Sequence, residues 1–191
     1  MSSLRESAGP HGLLRIIVLA TLLASGCGES EQATTAMIPG ERQPFSGNWS
    51  PNGTQQVLDL GAGRRAGVFR LSGSLMLTGK QRLARGFGTE VIGFSDTASG
   101  LLARSVWTDE HGDRVFSELR GEGIGPGRRI EGSIIGGTGR YAGIRGEYRF
   151  EWQRLTPIEG DELAGRVVGL QGWAQVDRSE AVSPVKTGGG K

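Results

Sequence analysis

Apolar and polar residues alternate along several segments of this chain. Between residues 66 and 78 the odd-numbered positions are apolar or glycine, whereas the even-numbered positions include arginine and serines. Between residues 144 and 155 the aromatic residues Tyr148, Phe150 and Trp152 alternate with charged or amide residues. A period of two is typical of β-strands with one buried face, and no long window shows the spacing of an amphipathic helix. The pattern therefore predicts an all-β domain.

Clusters of glycine and polar residues separate the alternating segments and indicate turns. The predicted strands number about eight and are 55–60, 66–78, 87–95, 101–108, 114–121, 129–135, 144–155 and 163–176. Short connections and one-sided alternation favour an eight-stranded antiparallel up-and-down barrel. The interior of such a barrel is just wide enough for side chains or one small ligand.

The N-terminal sequence has the pattern of a targeting signal. Arg5 and Arg15 precede an uninterrupted apolar run at residues 16–24, which has the length of a signal-peptide core and is too short to span a bilayer. Small residues then lead directly to Cys27, the only cysteine. This segment resembles the lipobox of bacterial lipoproteins, although Leu23 lies four positions before the cysteine, one further out than the family's usual leucine.

The lipobox resemblance implies that Cys27 becomes the first mature residue and carries acyl chains such as palmitate. Two or more acyl chains give stable membrane attachment, whereas one chain anchors only marginally. Gly28 follows where an aspartate in the family would indicate inner-membrane retention, so we expect the cell envelope and, in a cell with two membranes, the outer one. The alternative is an ordinary secretory signal with an incidental cysteine.

The pattern divides the chain into four parts. We expect residues 1–26 to form a signal peptide, 27–47 a flexible tether, 48–177 a β-barrel domain and 178–191 a disordered tail. The tether and the tail lack apolar periodicity and are rich in small and polar residues.

Composition excludes several function classes. The 191 residues have a net charge of only +2, and Lys and Arg do not cluster, so we expect no nucleic-acid partner. One cysteine excludes an internal disulfide framework. With one cysteine and two histidines we expect no metal site of the Cys/His type. The glycine-rich segments do not match a nucleotide-binding motif, so we expect no cofactor. Glycine is abundant, at 34 residues, but has no three-residue period.

Residues 135–150, IGGTGRYAGIRGEYRF, resemble a segment of the allene oxide cyclase/dirigent barrel superfamily. In that superfamily the segment links two late strands of an eight-stranded barrel, and the barrels often associate as trimers. The N-terminal strand motifs of the plant members are not recognisable here, so the resemblance implies a fold and carries over no catalytic residue.

Two charged residues on predicted strands are candidates for catalysis. Glu90 shares its face with Ile92, and Arg104 shares its face with Leu102. If these faces point inward, each charged group lies in an apolar lumen, where burial would shift its pKa. Ionisable groups with strongly shifted pKa values are candidates for functional sites. Alternation also allows the opposite orientation, which would place Thr89, Val91, Ala103, Ser105 and Trp107 inside.

The aromatic stripe of Tyr148, Phe150 and Trp152, together with Phe69 and Leu71, is predicted to face the barrel interior. These residues form either a packed core or the wall of a pocket for a small apolar ligand. We therefore expect a lipid-anchored, non-enzymatic barrel with a possible apolar ligand. The alternative is an isomerase or cyclase that acts on a small hydrophobic substrate.

Strand 163–176 has apolar residues on both predicted faces. Val168, Leu170, Ala174 and Val176 share one face, while Val167 and Trp173 lie on the other. A strand that is buried on both faces needs a partner, so this strand predicts contact between copies in a homo-oligomer.

Overall fold

The structure is a computed structural model that describes residues 40–79, 83–123, 127–155 and 161–177. Eight antiparallel strands close into a barrel in which each strand pairs with its neighbours in sequence and β1 pairs with β8. The strands are β1 (Gln43–Asp59), β2 (Arg65–Thr78), β3 (Gly86–Asp96), β4 (Gly100–Thr108), β5 (Arg114–Gly121), β6 (Arg128–Gly137), β7 (Ile144–Arg154) and β8 (Glu162–Val176). A short 3₁₀ helix, Gly139–Tyr141, precedes β7. The predicted eight-stranded up-and-down barrel is confirmed.

The strands form where the sequence alternates. In β2 and β7 the apolar positions point inward and the polar positions point outward, with Leu71, Leu75 and Phe150 among the buried residues. This alternation covers one face of each strand with the core and leaves the other face to water.

β1 is longer than the sequence predicts. It begins at Gln43, inside the predicted tether, and includes the inward-facing Phe45 and Trp49. The remaining parts of the domain division, which are the signal peptide, Cys27, most of the tether and the tail, lie outside the described residues.

A bulge in β8 reverses the face predicted for Val167 and Val168. β8 carries one extra residue relative to β7 between Val168 and Gln171, and Gly169 has a φ of 65°. A positive φ at glycine is typical of such bulges, which shift the alternation by one residue. Val167 is consequently buried and Val168 exposed, so the predicted faces of these two residues were wrong, whereas Leu170 and Ala174 point inward as predicted. Homo-oligomerisation itself stays a prediction.

The two ends of the barrel differ, and we name them here. The closed end carries the start of β1, the β4–β5 turn, the 3₁₀ helix and the end of β8. The open end carries the β1–β2 and β3–β4 turns and the strand ends at Gly121, Arg128, Arg154 and Glu162. At the closed end the Gly40 N–H donates to the Val176 carbonyl at 2.9 Å.

Candidate functional site

The lumen holds every aromatic and aliphatic residue predicted to line it. Phe69, Leu71, Tyr148, Phe150 and Trp152 are all buried, with between 1% and 7% of their surface exposed. Their inward orientation agrees with the prediction from alternation. A role for them in ligand binding stays a prediction.

Glycines on neighbouring strands make room for the large rings. A Cβ added to Gly132 would lie 2.1 Å from Cζ of Tyr148, and one added to Gly165 would lie 2.3 Å from Cζ2 of Trp152. Both distances are well inside van der Waals contact, so only a residue without a side chain fits beneath each ring. Part of the glycine content thus serves the packing of the lumen.

A layer of hydroxyl groups crosses the middle of the lumen on β3, β4 and β5. The Trp49 Nε1–H donates to Thr89 Oγ1 at 2.7 Å, and the Trp107 Nε1–H donates to Ser105 Oγ at 3.0 Å. The hydroxyls of Ser117 and Tyr148 lie 2.7 Å apart. Burial raises the pKa of the Tyr148 phenol, and hydrogen bonds to the serines only partly oppose this shift. The layer is therefore neutral at physiological pH.

The space left between these side chains is very small. Two of the voids between the lumen side chains have volumes of about 10 Å³ and 20 Å³. Such volumes hold about one water molecule each, whereas ligand pockets measure about 300–1,000 Å³. The lumen in this structure is therefore a solid core.

Glu90 and Arg104 lie on the outer face of the barrel, contrary to the inward orientation considered for them. Their side chains contact partners on adjacent strands: Glu90 lies 3.4 Å from Arg70, and Arg104 lies 2.9 Å from Glu118. The alternative orientation is correct, because the neighbouring positions Thr89, Val91, Ala103, Ser105 and Trp107 are the buried ones. Neither charge reaches the lumen, so neither can act on a molecule inside it.

The GGTGRY segment plugs the closed end. Tyr141 is buried and donates its hydroxyl hydrogen to Asp109 at 2.9 Å, and the Arg140 Nε–H donates to the same carboxylate at 2.8 Å. Desolvation pushes the pKa of Asp109 upward, but hydrogen bonds from the His111 N–H, Tyr141 and Arg140 outweigh it and lower the pKa. Burial and the bond to Asp109 raise the pKa of Tyr141. At this end the ionised Asp109 carboxylate is held by hydrogen bonds from the His111 N–H, Arg140 and Tyr141.

The open end contains a basin of about 330 Å³ above the last layer of core residues. Phe69, Val57 and Gly67 line its apolar part, while Arg128 and Arg154 contribute guanidinium groups. We call this cavity the mouth basin. Sequence reasoning missed it, although one signal was present: Arg154 continues the inward face of the aromatic stripe two residues beyond Trp152.

A shallower groove of about 770 Å³ lies on the outside of β2, β3 and β4. It exposes Val68, Ile92, Phe94 and Leu102, whose exposed fractions range from 42% to 60%. Arg70 and Arg104, each paired with a glutamate, lie beside these apolar side chains.

Comparison of the chain with known proteins identifies no relative. No protein-family model matches the chain, and neither a curated protein nor a solved structure is significantly similar to it. Within the described ranges, no helix is long and apolar enough to cross a membrane. The same residues contain no cluster of three or more His, Cys, Asp or Glu side chains suited to a metal ion.

Proposed function

We propose that this protein is a lipid-anchored barrel of the bacterial cell envelope that acts by binding rather than by catalysis. The solid lumen is the observation that carries the proposal. Binding then takes place at the surfaces that the barrel leaves open, which are the mouth basin and the outer groove. The small apolar ligand predicted from the sequence has space there and none among the core side chains.

The chemistry of the lumen supports a non-catalytic role. A cyclase that folds a reactive substrate inside a barrel needs a cavity and an acid or charge-stabilising group facing that cavity. The central layer of this lumen offers only the neutral hydroxyls of Thr89, Ser105, Ser117 and Tyr148, already hydrogen-bonded to one another, to indole N–H groups or to the backbone. No observation in the lumen favours the isomerase alternative.

The anchor rests on the N-terminal sequence. A nine-residue apolar run, two arginines before it and small residues directly before Cys27 fit a lipoprotein signal. The resemblance of residues 135–150 to the allene oxide cyclase/dirigent superfamily is consistent with an eight-stranded barrel, and in this chain that segment joins β6 to β7. We propose membership of that superfamily on these two grounds.

Replacement of the acylated residue tests the anchor. Cys27→Ser should move the protein from the membrane fraction to the soluble fraction and abolish labelling by an alkynyl palmitate analogue, because serine offers no thiol for acylation. Ser25→Ala, two residues earlier, keeps a small side chain and should leave both unchanged. Equal labelling of wild type and Cys27→Ser, or an N-terminus found elsewhere by mass spectrometry, would contradict the proposal.

A further inference from the structure

Charged side chains occur at inward-facing strand positions only at the open end. Across all eight strands the inward alternation runs through apolar, small or neutral polar residues until it reaches Asp59, Arg65, Arg128 and Arg154. Asp59 lies near the tip of the β1–β2 hairpin and accepts a hydrogen bond from the Gly61 N–H at 2.8 Å. The three arginines all line the mouth basin.

The acidic groups of the basin are already neutralised. Glu122 lies 3.3 Å from Arg128, and Asp96 lies 2.8 Å from Arg64, a residue outside the lining of the basin. Arg65 and Arg154 have no carboxylate partner within the part of the chain that the structure describes. Asp59 lies directly opposite Arg65 in the β1–β2 register, which leaves Arg154 as the guanidinium in excess among the described residues.

The floor of the basin is apolar. The Phe69 ring, only 7% exposed, closes it from below, and Val57, 39% exposed, forms part of its wall. Gly67 and Gly123 contribute backbone without side chains to the lining. A flat apolar group can rest on this floor while a negative charge at its edge meets the guanidinium groups.

We propose that the mouth basin binds a small carboxylate with a flat apolar body, and that Arg154 is the main recognition residue for the carboxylate. A guanidinium donates two parallel N–H bonds to a carboxylate, which gives both charge and orientation. Arg65 faces Asp59 across the β1–β2 pair, and Arg128 stays engaged with Glu122. This inference concerns the barrel alone and holds whether or not Cys27 is acylated.

A pair of ligands that differ only in charge tests the inference. Equilibrium dialysis would compare 2-naphthoate with its neutral isostere 2-naphthamide, using the full-length protein in mild detergent and subtracting uptake by protein-free micelles. We expect saturable binding of 2-naphthoate and at least tenfold weaker binding of 2-naphthamide. Acetate, which has the charge but no apolar body, should fail to compete at equal concentration.

Matched arginine variants locate the site. Arg154→Gln should weaken 2-naphthoate binding at least tenfold, and Arg128→Gln should weaken it less because Glu122 already occupies that guanidinium. Arg129→Gln removes the same charge from the outer face of β6 at the same end and should leave binding unchanged. All three positions are exposed, so the variants should unfold at the temperature of the wild type.

Three results would overturn the inference: no saturable binding of 2-naphthoate by the wild type, equal affinity for the naphthamide, or equal losses in Arg154→Gln and Arg129→Gln. The first would show that the basin does not bind aromatic carboxylates. The second would show that charge is not recognised. The third would show that binding depends on the net charge of the protein and not on the position of Arg154.

Discussion

Trp152 is the largest fully buried side chain among the described residues. Only 1% of it is exposed, its ring covers Gly165, and its centroid lies 6.4 Å from that of Trp49. Its Nε1 atom has no hydrogen-bond partner among the described residues, so its contribution is packing alone. Trp152→Ala should therefore lower the free energy of unfolding by about 4 kcal/mol, within the range for buried aromatic truncations.

Urea unfolding followed by circular dichroism measures this loss. With an m-value of about 2 kcal/mol/M, the midpoint should fall by about 2 M. Trp173→Ala is the matched control, because Trp173 lies on the outer face with the Arg42 guanidinium 4.2 Å from its ring centroid. That change should cost about 1 kcal/mol or less.

Indole then separates a solid core from an open pocket. If the wild-type lumen is filled, indole should bind only to Trp152→Ala. At a hundredfold excess over the dissociation constant it should raise the free energy of unfolding of that variant by up to about 2.7 kcal/mol, which is about 1.4 M in the urea midpoint. A loss below about 1 kcal/mol in Trp152→Ala, or equal binding of indole to the wild type, would refute the reasoning. The second result would also remove the main support for a non-catalytic lumen.

Two further predictions concern the closed end and the glycines. Asp109→Asn should cost about 2 kcal/mol at pH 7. Because folding lowers the pKa of Asp109 from 3.8, its carboxylate stabilises the fold above that value. The difference in stability between wild type and Asp109→Asn should therefore shrink as pH falls through the folded pKa. A difference in thermal unfolding that does not change with pH would contradict this. Gly132→Ala should cost about 1–3 kcal/mol because its methyl group meets the Tyr148 ring. Gly88→Ala, where the nearest atom is 3.8 Å away, should be nearly neutral in the same urea assay.

The sequence predicts the bounds of most strands closely. β2, β3, β4, β5, β7 and β8 agree with prediction to within one residue at each end, because clusters of glycine and polar residues bound each alternating segment. β1 was predicted to begin only at residue 55, since its inward positions include Gly47, Pro51 and Gly53, which give no alternating hydrophobic signal. The pairing of β1 with both neighbours forms that strand, and pairing is not visible in a local window.

The orientation of Glu90 and Arg104 could not be settled by alternation, because both faces of β3 and β4 carry apolar residues. Ile92 and Leu102 are large and apolar yet lie outside, along the outer groove. The bulge at Gly169 was equally hidden, since glycine is too common in this chain to mark one position. The mouth basin draws its arginines from different strands, and only closure of the barrel brings them together.

Closure of the barrel between β1 and β8 has a topological consequence. The first and last strands are neighbours, and the hydrogen bond from Gly40 to Val176 places the two chain ends of the barrel side by side at the closed end. The barrel is therefore close to a continuous ring of strands in which no position is inherently the beginning. A short linker could join these ends, and new termini could be cut in the exposed β1–β2 turn without breaking a strand. The order of the strands around the ring would be unchanged by such a permutation.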